Sequence, residues 1–177
     1  MPGSNPENRP WVLQKVKEIN PQTIADIGAG AGTYSHLIKP ELNVHMTAVE
    51  IFEENINRFN LANLYEEVLH KDVRELDSLN YDLVIFGDVL EHMTKEEALA
   101  VWNIAKRDAK YAIINIPIVH YEQGAIEGNP HEVHVVDDWD HDKVLEAFED
   151  ITDFNKGEVT GAYLARFKEN NRVELPL

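Results

Sequence analysis

The chain has 177 residues, 44% of them hydrophobic and 27% charged, the balance of one globular domain spanning 1–177. No apolar run reaches the roughly 18 residues that cross a bilayer, and the polar start MPGSNPENRP lacks a signal-peptide core, so a cytoplasmic protein away from membranes is expected. The absence of cysteine excludes disulfides, thiolate metal sites and a thiol nucleophile. A net charge of −16 without any basic stripe argues against nucleic acid as a partner.

Residues 1–22 form an arm and a helix. The first eight read as loose chain, and Trp11, Val12, Val16 and Ile19 then recur at helical spacing. Asn8 is placed to cap that helix, Pro10 suits its first turn, and Pro21 stops it. Such a helix covers the sheet or the mouth of a cofactor site, with Trp11 turned to the core.

The stretch TIADIGAGAG, residues 23–32, is a short β-branched strand running into a glycine turn. Gly28, Gly30 and Gly32 let backbone come within contact distance of a ligand, and a helix starting near Tyr34 would aim its free N–H groups at it. A nicotinamide-dinucleotide fingerprint would carry its third glycine where Thr33 stands, and here an acid, Asp26, leads the turn. About twenty residues on, a second strand over 44–52 carries Glu50 near its end, where a carboxylate binds ribose hydroxyls. D-I-G-A-G-A-G followed by A-V-E-I resembles the first two motifs of small class I S-adenosylmethionine-dependent methyltransferases.

A helical pattern after Glu50 and a third strand over 66–72 lead to Asp72 and Val73. The resemblance implies that Asp72 takes the adenine amino group while its neighbour packs on the ring. Residues 81–86 form the clearest strand, continuous and apolar as a two-faced parallel sheet requires. It runs into Gly87-Asp88-Val89-Leu90-Glu91-His92-Met93, similar to the fourth-strand motif of quinone-type O-methyltransferases. In some of those the acid and the Glu-His pair lie beside the methyl-transfer centre, in places with a divalent ion. The plain alternative is that Glu91 and His92 only open the next helix, over 95–108.

A fifth strand over 110–116 precedes the aperiodic residues 118–138, long enough to suggest a functional loop. This loop holds His120, His131 and His134 among acids, a candidate metal set whose spacing matches no zinc signature. Asp140 caps a helix over 141–149, and strands over 151–154 and 163–167 pair as a hairpin. The overall expectation is a Rossmann-like α/β open sheet, mostly parallel, with helices on both faces; the resemblance implies seven strands in the order 3-2-1-4-5-7-6.

The resemblance thus implies that S-adenosylmethionine is held by Asp26, Gly28, Ala29, Gly30, Gly32, Tyr34, Glu50, Ile51, Asp72, Val73 and Gly87. Asp26 would hold its ammonium, and backbone N–H groups from Gly28 to Thr33 its carboxylate. Asp88 and His92 are the catalytic candidates, His92 because an imidazole can take the acceptor's proton near neutral pH. No Asn/Asp-Pro-Pro-aromatic turn follows the fourth strand and no cysteine nucleophile exists, which leaves O- or N-methylation of a small molecule. The acceptor pocket must come from the arm, the Asp88 turn and the long loop, or from a second subunit of a homodimer. Two rival readings are a non-catalytic S-adenosylmethionine-binding module and a nicotinamide-dependent oxidoreductase.

Overall fold

A computed structural model describes residues 5–167 as one seven-stranded sheet. The strands are β1 (Thr23–Ile27), β2 (His45–Glu50), β3 (Glu67–His70), β4 (Leu83–Gly87), β5 (Tyr111–Pro117), β6 (Ile151–Lys156) and β7 (Thr160–Arg166). They lie in the order β3-β2-β1-β4-β5-β7-β6, all parallel except β7, which runs antiparallel to both neighbours. This is the expected class and order.

Side chains alternate between faces along each strand, so the central strands feed two cores. Leu83 and Ile85 join Ile24, Ile113 and Leu164 beneath α1 (Arg9–Ile19) and α2 (Thr33–Ile38). Val84 and Phe86 join Ala25, Ile114 and Ala165 beneath α4 (Lys95–Asp108) and α5 (His141–Ala147). The remaining helix, α3 (Glu53–Arg58), is short, because the chain breaks at Asn60 into a single 3-10 turn, Leu61–Asn63. The helical pattern after Glu50 is therefore two pieces instead of one.

Helix α4 has the expected bounds for a local reason. Thr94 and Glu97 form a reciprocal capping box, and Ala98, Val101, Trp102 and Ala105 recur on one face over Phe148 and Phe167. Glu91 and His92 do not open it. They belong to a separate 3-10 turn, Leu90–His92, and Thr94 starts the helix.

From Asn5 onward the arm is not loose; residues 1–4 lie outside the described part. Asn8 makes no side-chain cap for α1 and is instead buried at 1% exposure against β5 and β7. Trp11 is half-buried against the core under α1.

Candidate functional site

The loops after β1, β2, β3, β4 and β5 emerge on one rim, as parallel strands require. Two cavities open there, of about 370 and 150 Å³, and they share Gly28, Asp88, His92 and Glu132. The smaller one is walled by Glu50, Ile51, Asp72 and Val73. The larger one is walled by Ala29, Gly30, Tyr34, Gly87, Asp88 and His134.

The glycine turn is built around Glu50. Its carboxylate accepts from the backbone N–H of Gly30 at 2.7 Å and of Phe52 at 2.9 Å, so it ties the turn after β1 to the start of α3. A side chain at Gly30 would meet nothing closer than 3.8 Å, yet φ there is +52°; the space beside it belongs to the larger cavity. Gly32 differs. A Cβ there would lie 2.6 Å from Leu64, so this glycine lets α2 pack on the turn after α3 and lines neither cavity.

Asp26 also lies behind the site. It is fully buried, Tyr65 donates its hydroxyl to Oδ2 at 2.5 Å, and Oδ1 has no partner. Burial pushes its carboxyl up to about 7, against the pull of the Tyr65 hydroxyl, with Glu50 adding repulsion. Asp72 is engaged as well: Arg74 donates to both its oxygens at 2.6 to 3.0 Å. Against the cost of burial, that guanidinium holds the Asp72 carboxyl below its ordinary range.

Asp88 follows β4 with a φ of +50°, and Asn115 donates to both its oxygens at 3.2 and 3.3 Å. Glu91 is 1% exposed with neither carboxylate oxygen hydrogen-bonded. Burial, with Asp88 adding repulsion, raises its carboxyl well above the usual range. His92 places Nδ1 3.1 Å from the Val133 carbonyl, and His134 places Nδ1 2.6 Å from the Tyr121 carbonyl. A carbonyl only accepts, so each Nδ1 carries a proton, and in the neutral ring the lone pair is on Nε2. Burial, offset by the carbonyls of Val133 and Asp88 and reinforced by His134, lowers the His92 pKa.

The long loop is folded firmly over this point. Val135 and Val136 donate to the Glu91 carbonyl, His134 donates to that of Gln123, and Arg58 pairs with Glu127. The three loop histidines do not converge. His134 joins Glu91 and His92, with potential ligand atoms all within 4.8 Å of one another. His120 sits apart with Glu122 and Asp137 on the exposed side, and His131 lines the smaller cavity. The loop histidines thus fall into separate places, and two groups could hold an ion: Glu91, His92 and His134, and His120, Glu122 and Asp137.

Sequence reasoning overlooked Asn115 and Tyr121. A lone Asn inside the apolar run of β5 was a usable signal, since a buried amide needs partners. Glu132 stood out only as one of the acids of the long loop. Only the fold brings it near Glu50 and Asp88, where burial first and those two charges next raise its carboxyl.

A family profile described as Methyltransferase domain matches residues 25–113, half of the chain. A search of the curated proteins gave no match. Among solved structures, the N-terminal domain of EvdMO1 in the presence of SAH and D-fucose superposes with a TM-score of 0.65 at 16% identity, covering 94% of this chain and 85% of that one. The methyltransferase domain of bacterial CtHen1 gives 0.67 at 20% identity, covering 93% and 100%. The mitomycin 7-O-methyltransferase MmcR gives 0.65 at 15%, covering 90% of this chain and 54% of that one. These likenesses concern the fold. Among the described residues no helix is long and apolar enough to cross a membrane.

Proposed function

The chain belongs to the S-adenosylmethionine-dependent methyltransferases, and from that premise we propose that it methylates an oxygen or nitrogen of a small-molecule acceptor. The observation that carries the reading is the meeting of the two cavities at Asp88 and His92. The adenosine part of the cofactor belongs in the smaller cavity, with its ribose hydroxyls on Glu50 and its ring beside Ile51, Val73 and Asp72. The methionine part belongs along Gly28, Ala29 and Gly30. That leaves the rest of the larger cavity, under Tyr121 and His134, to the acceptor.

The transfer is an in-line displacement at an already electrophilic carbon, so the protein's work is alignment and proton management. His92, whose lowered pKa favours the neutral ring, is the proton acceptor, and Asp88 orients the acceptor beside the sulfonium. The Asp88 carboxyl where the two cavities meet favours a cationic cofactor over its neutral product. MmcR is itself an O-methyltransferase of a small molecule, which agrees with this choice of acceptor.

A specific observation favours a second reading of the same site. Glu91 is a buried carboxylate without a donor, flanked by two imidazoles whose outer nitrogens are tied to carbonyls. Histidines that ligate metals are commonly oriented in that way. A mixed oxygen and nitrogen set suits a divalent transition ion such as Zn²⁺ or Mn²⁺. Such an ion, held by Glu91, His92 and His134, would make an acceptor hydroxyl more acidic, and His92 would then be a ligand instead of a base.

Two measurements test these readings. Mass spectrometry of small molecules that co-purify with the protein, followed by titration with S-adenosylhomocysteine and NAD, should show binding of the first alone. Binding of NAD alone would refute the assignment of the cavities. Calorimetry with Zn²⁺ or Mn²⁺ after chelation should show one site that His134→Ala removes and His120→Ala leaves intact. No site in the native protein returns His92 to the role of base.

A further inference from the structure

Asp88 stands where the two cavities meet, in a left-handed backbone conformation that costs a non-glycine residue energy. Its neighbours hold it there. Its backbone N–H donates to the Asn115 carbonyl at 2.8 Å, and its carboxylate takes the Asn115 side-chain amide. Asn115, 2% exposed, lies beside Gly87 in the parallel register of β4 and β5.

The chain of amides continues away from the site, and its direction is fixed by Asp88. A carboxylate oxygen accepts, so Asn115 must turn Nδ2 toward it and leave Oδ1 facing the other way. That Oδ1 accepts from Asn8 Nδ2 at 3.2 Å. Asn8 Nδ2 also faces the carbonyl and hydroxyl of Thr160, at 3.0 and 2.8 Å, and its own Oδ1 accepts from Asn155 at 2.8 Å. Next to it, the Glu7 carboxylate accepts from the backbone N–H groups of Glu158, Val159 and Thr160 and from the Thr160 hydroxyl. The Thr160 hydroxyl thus donates to Glu7 and accepts from Asn8, and no group in the chain is asked to do both at one atom pair.

The polar interior here is costly unless every member is paired, and all of it converges on one carboxylate. We propose that Asn115 and Asn8 are positioning residues for Asp88, and that the segment carrying Asn5, Glu7 and Asn8 aims this carboxylate at the sulfonium end of the cofactor. Asn5, Val159 and Thr160 line the same cavity as Asp88, so this N-terminal segment and the residue it positions border one space. The inference rests on the placement of the cofactor argued above.

Two probes separate this role from a merely structural one. S-adenosylhomocysteine has no charge at sulfur, whereas sinefungin carries an ammonium in place of the sulfonium methyl. A charge-assisted contact with an aimed Asp88 should make sinefungin bind the native protein about tenfold more tightly. Asn8→Ala and Asn115→Leu should erase that preference while leaving S-adenosylhomocysteine affinity within about twofold. Equal weakening of both probes, a preference retained in both variants, or no preference in the native protein would each overturn the proposal. If the native protein binds neither probe, the cofactor placement falls and takes the proposal with it. Should the variants fail to fold, asparagine-labelled native protein gives the same answer by NMR. The Asn115 side-chain amide should shift with sinefungin and stay in place with S-adenosylhomocysteine; identical responses refute the role.

Discussion

Two glutamates on the same rim are equally hidden from water and differently served. Glu50, 4% exposed, receives two backbone N–H groups, while Glu91, 1% exposed, receives none. The turn around Glu50 is therefore held by its own hydrogen bonds. The turn that carries Glu91 and His92 keeps a carboxyl without a donor between two imidazoles. A buried carboxyl without a hydrogen-bond donor, here with His134 Nε2 4.0 Å away, is a poor contributor to stability, so its presence points to a ligand that supplies what the chain does not.

Asp26 is where the contrast is least clean, because it lies behind the Glu50 turn and still has a bare oxygen. Its carboxyl titrates near 7 in the folded chain and near 3.8 when unfolded. The folded state thus binds the proton more tightly, so this group's stabilisation is full below the unfolded value and is lost as pH rises through about 7. Asp26→Asn should accordingly be the more stable protein at pH 8, by up to about 4 kcal/mol, with the difference closing toward pH 4. Urea melts across that range check it; a constant offset would show that the charge is relieved in some other way.

The contrast itself is broken most directly at the two glutamates. Glu50→Ala removes a carboxylate that ties two N–H groups and meets the ribose, and S-adenosylhomocysteine affinity should fall about ten- to a hundred-fold by calorimetry. The same change should lower stability. Glu91→Leu should do the reverse and raise stability by about 1–3 kcal/mol in the ligand-free protein, because a solvent-starved carboxylate is replaced by an apolar group. A chelated sample and a thermal melt decide it; a less stable variant would mean that Glu91 has a partner in the folded chain. The smallest effect belongs to His120→Ala, within about 0.5 kcal/mol and without influence on cation binding, since that ring is exposed and distant from Glu91.

What could be read in advance was local. The glycine turn, Glu50 at the end of β2, the bounds of α4 and the helix-starting Asp140 each declare themselves within a few residues. The strand order came from resemblance. Asn8 looked like a helix cap because its neighbours in sequence favour that role. Its actual partners are Asn115 and Thr160, 107 and 152 residues away, and no periodicity reports such pairs. The loop histidines are parted for a geometric reason. Chain without helical repeat advances about 3.3 Å per residue, so closeness in sequence does not gather side chains around an ion. His134 found its partners in Glu91 and His92 because the loop folds back and donates two N–H groups to the Glu91 carbonyl.

The clasp between Glu7 and the turn after β6 also has a meaning in time. A chain made from its N-terminus exposes Glu7 and Asn8 first and Thr160 among the last of the described residues. The central strand β5 is likewise without its antiparallel neighbour until β7 has been made. Contacts of such long sequence separation form late. The hydrogen bonds of the glycine turn join residues made early, whereas the contacts that hold Asn115, and through it Asp88, are complete only when the last hairpin has docked.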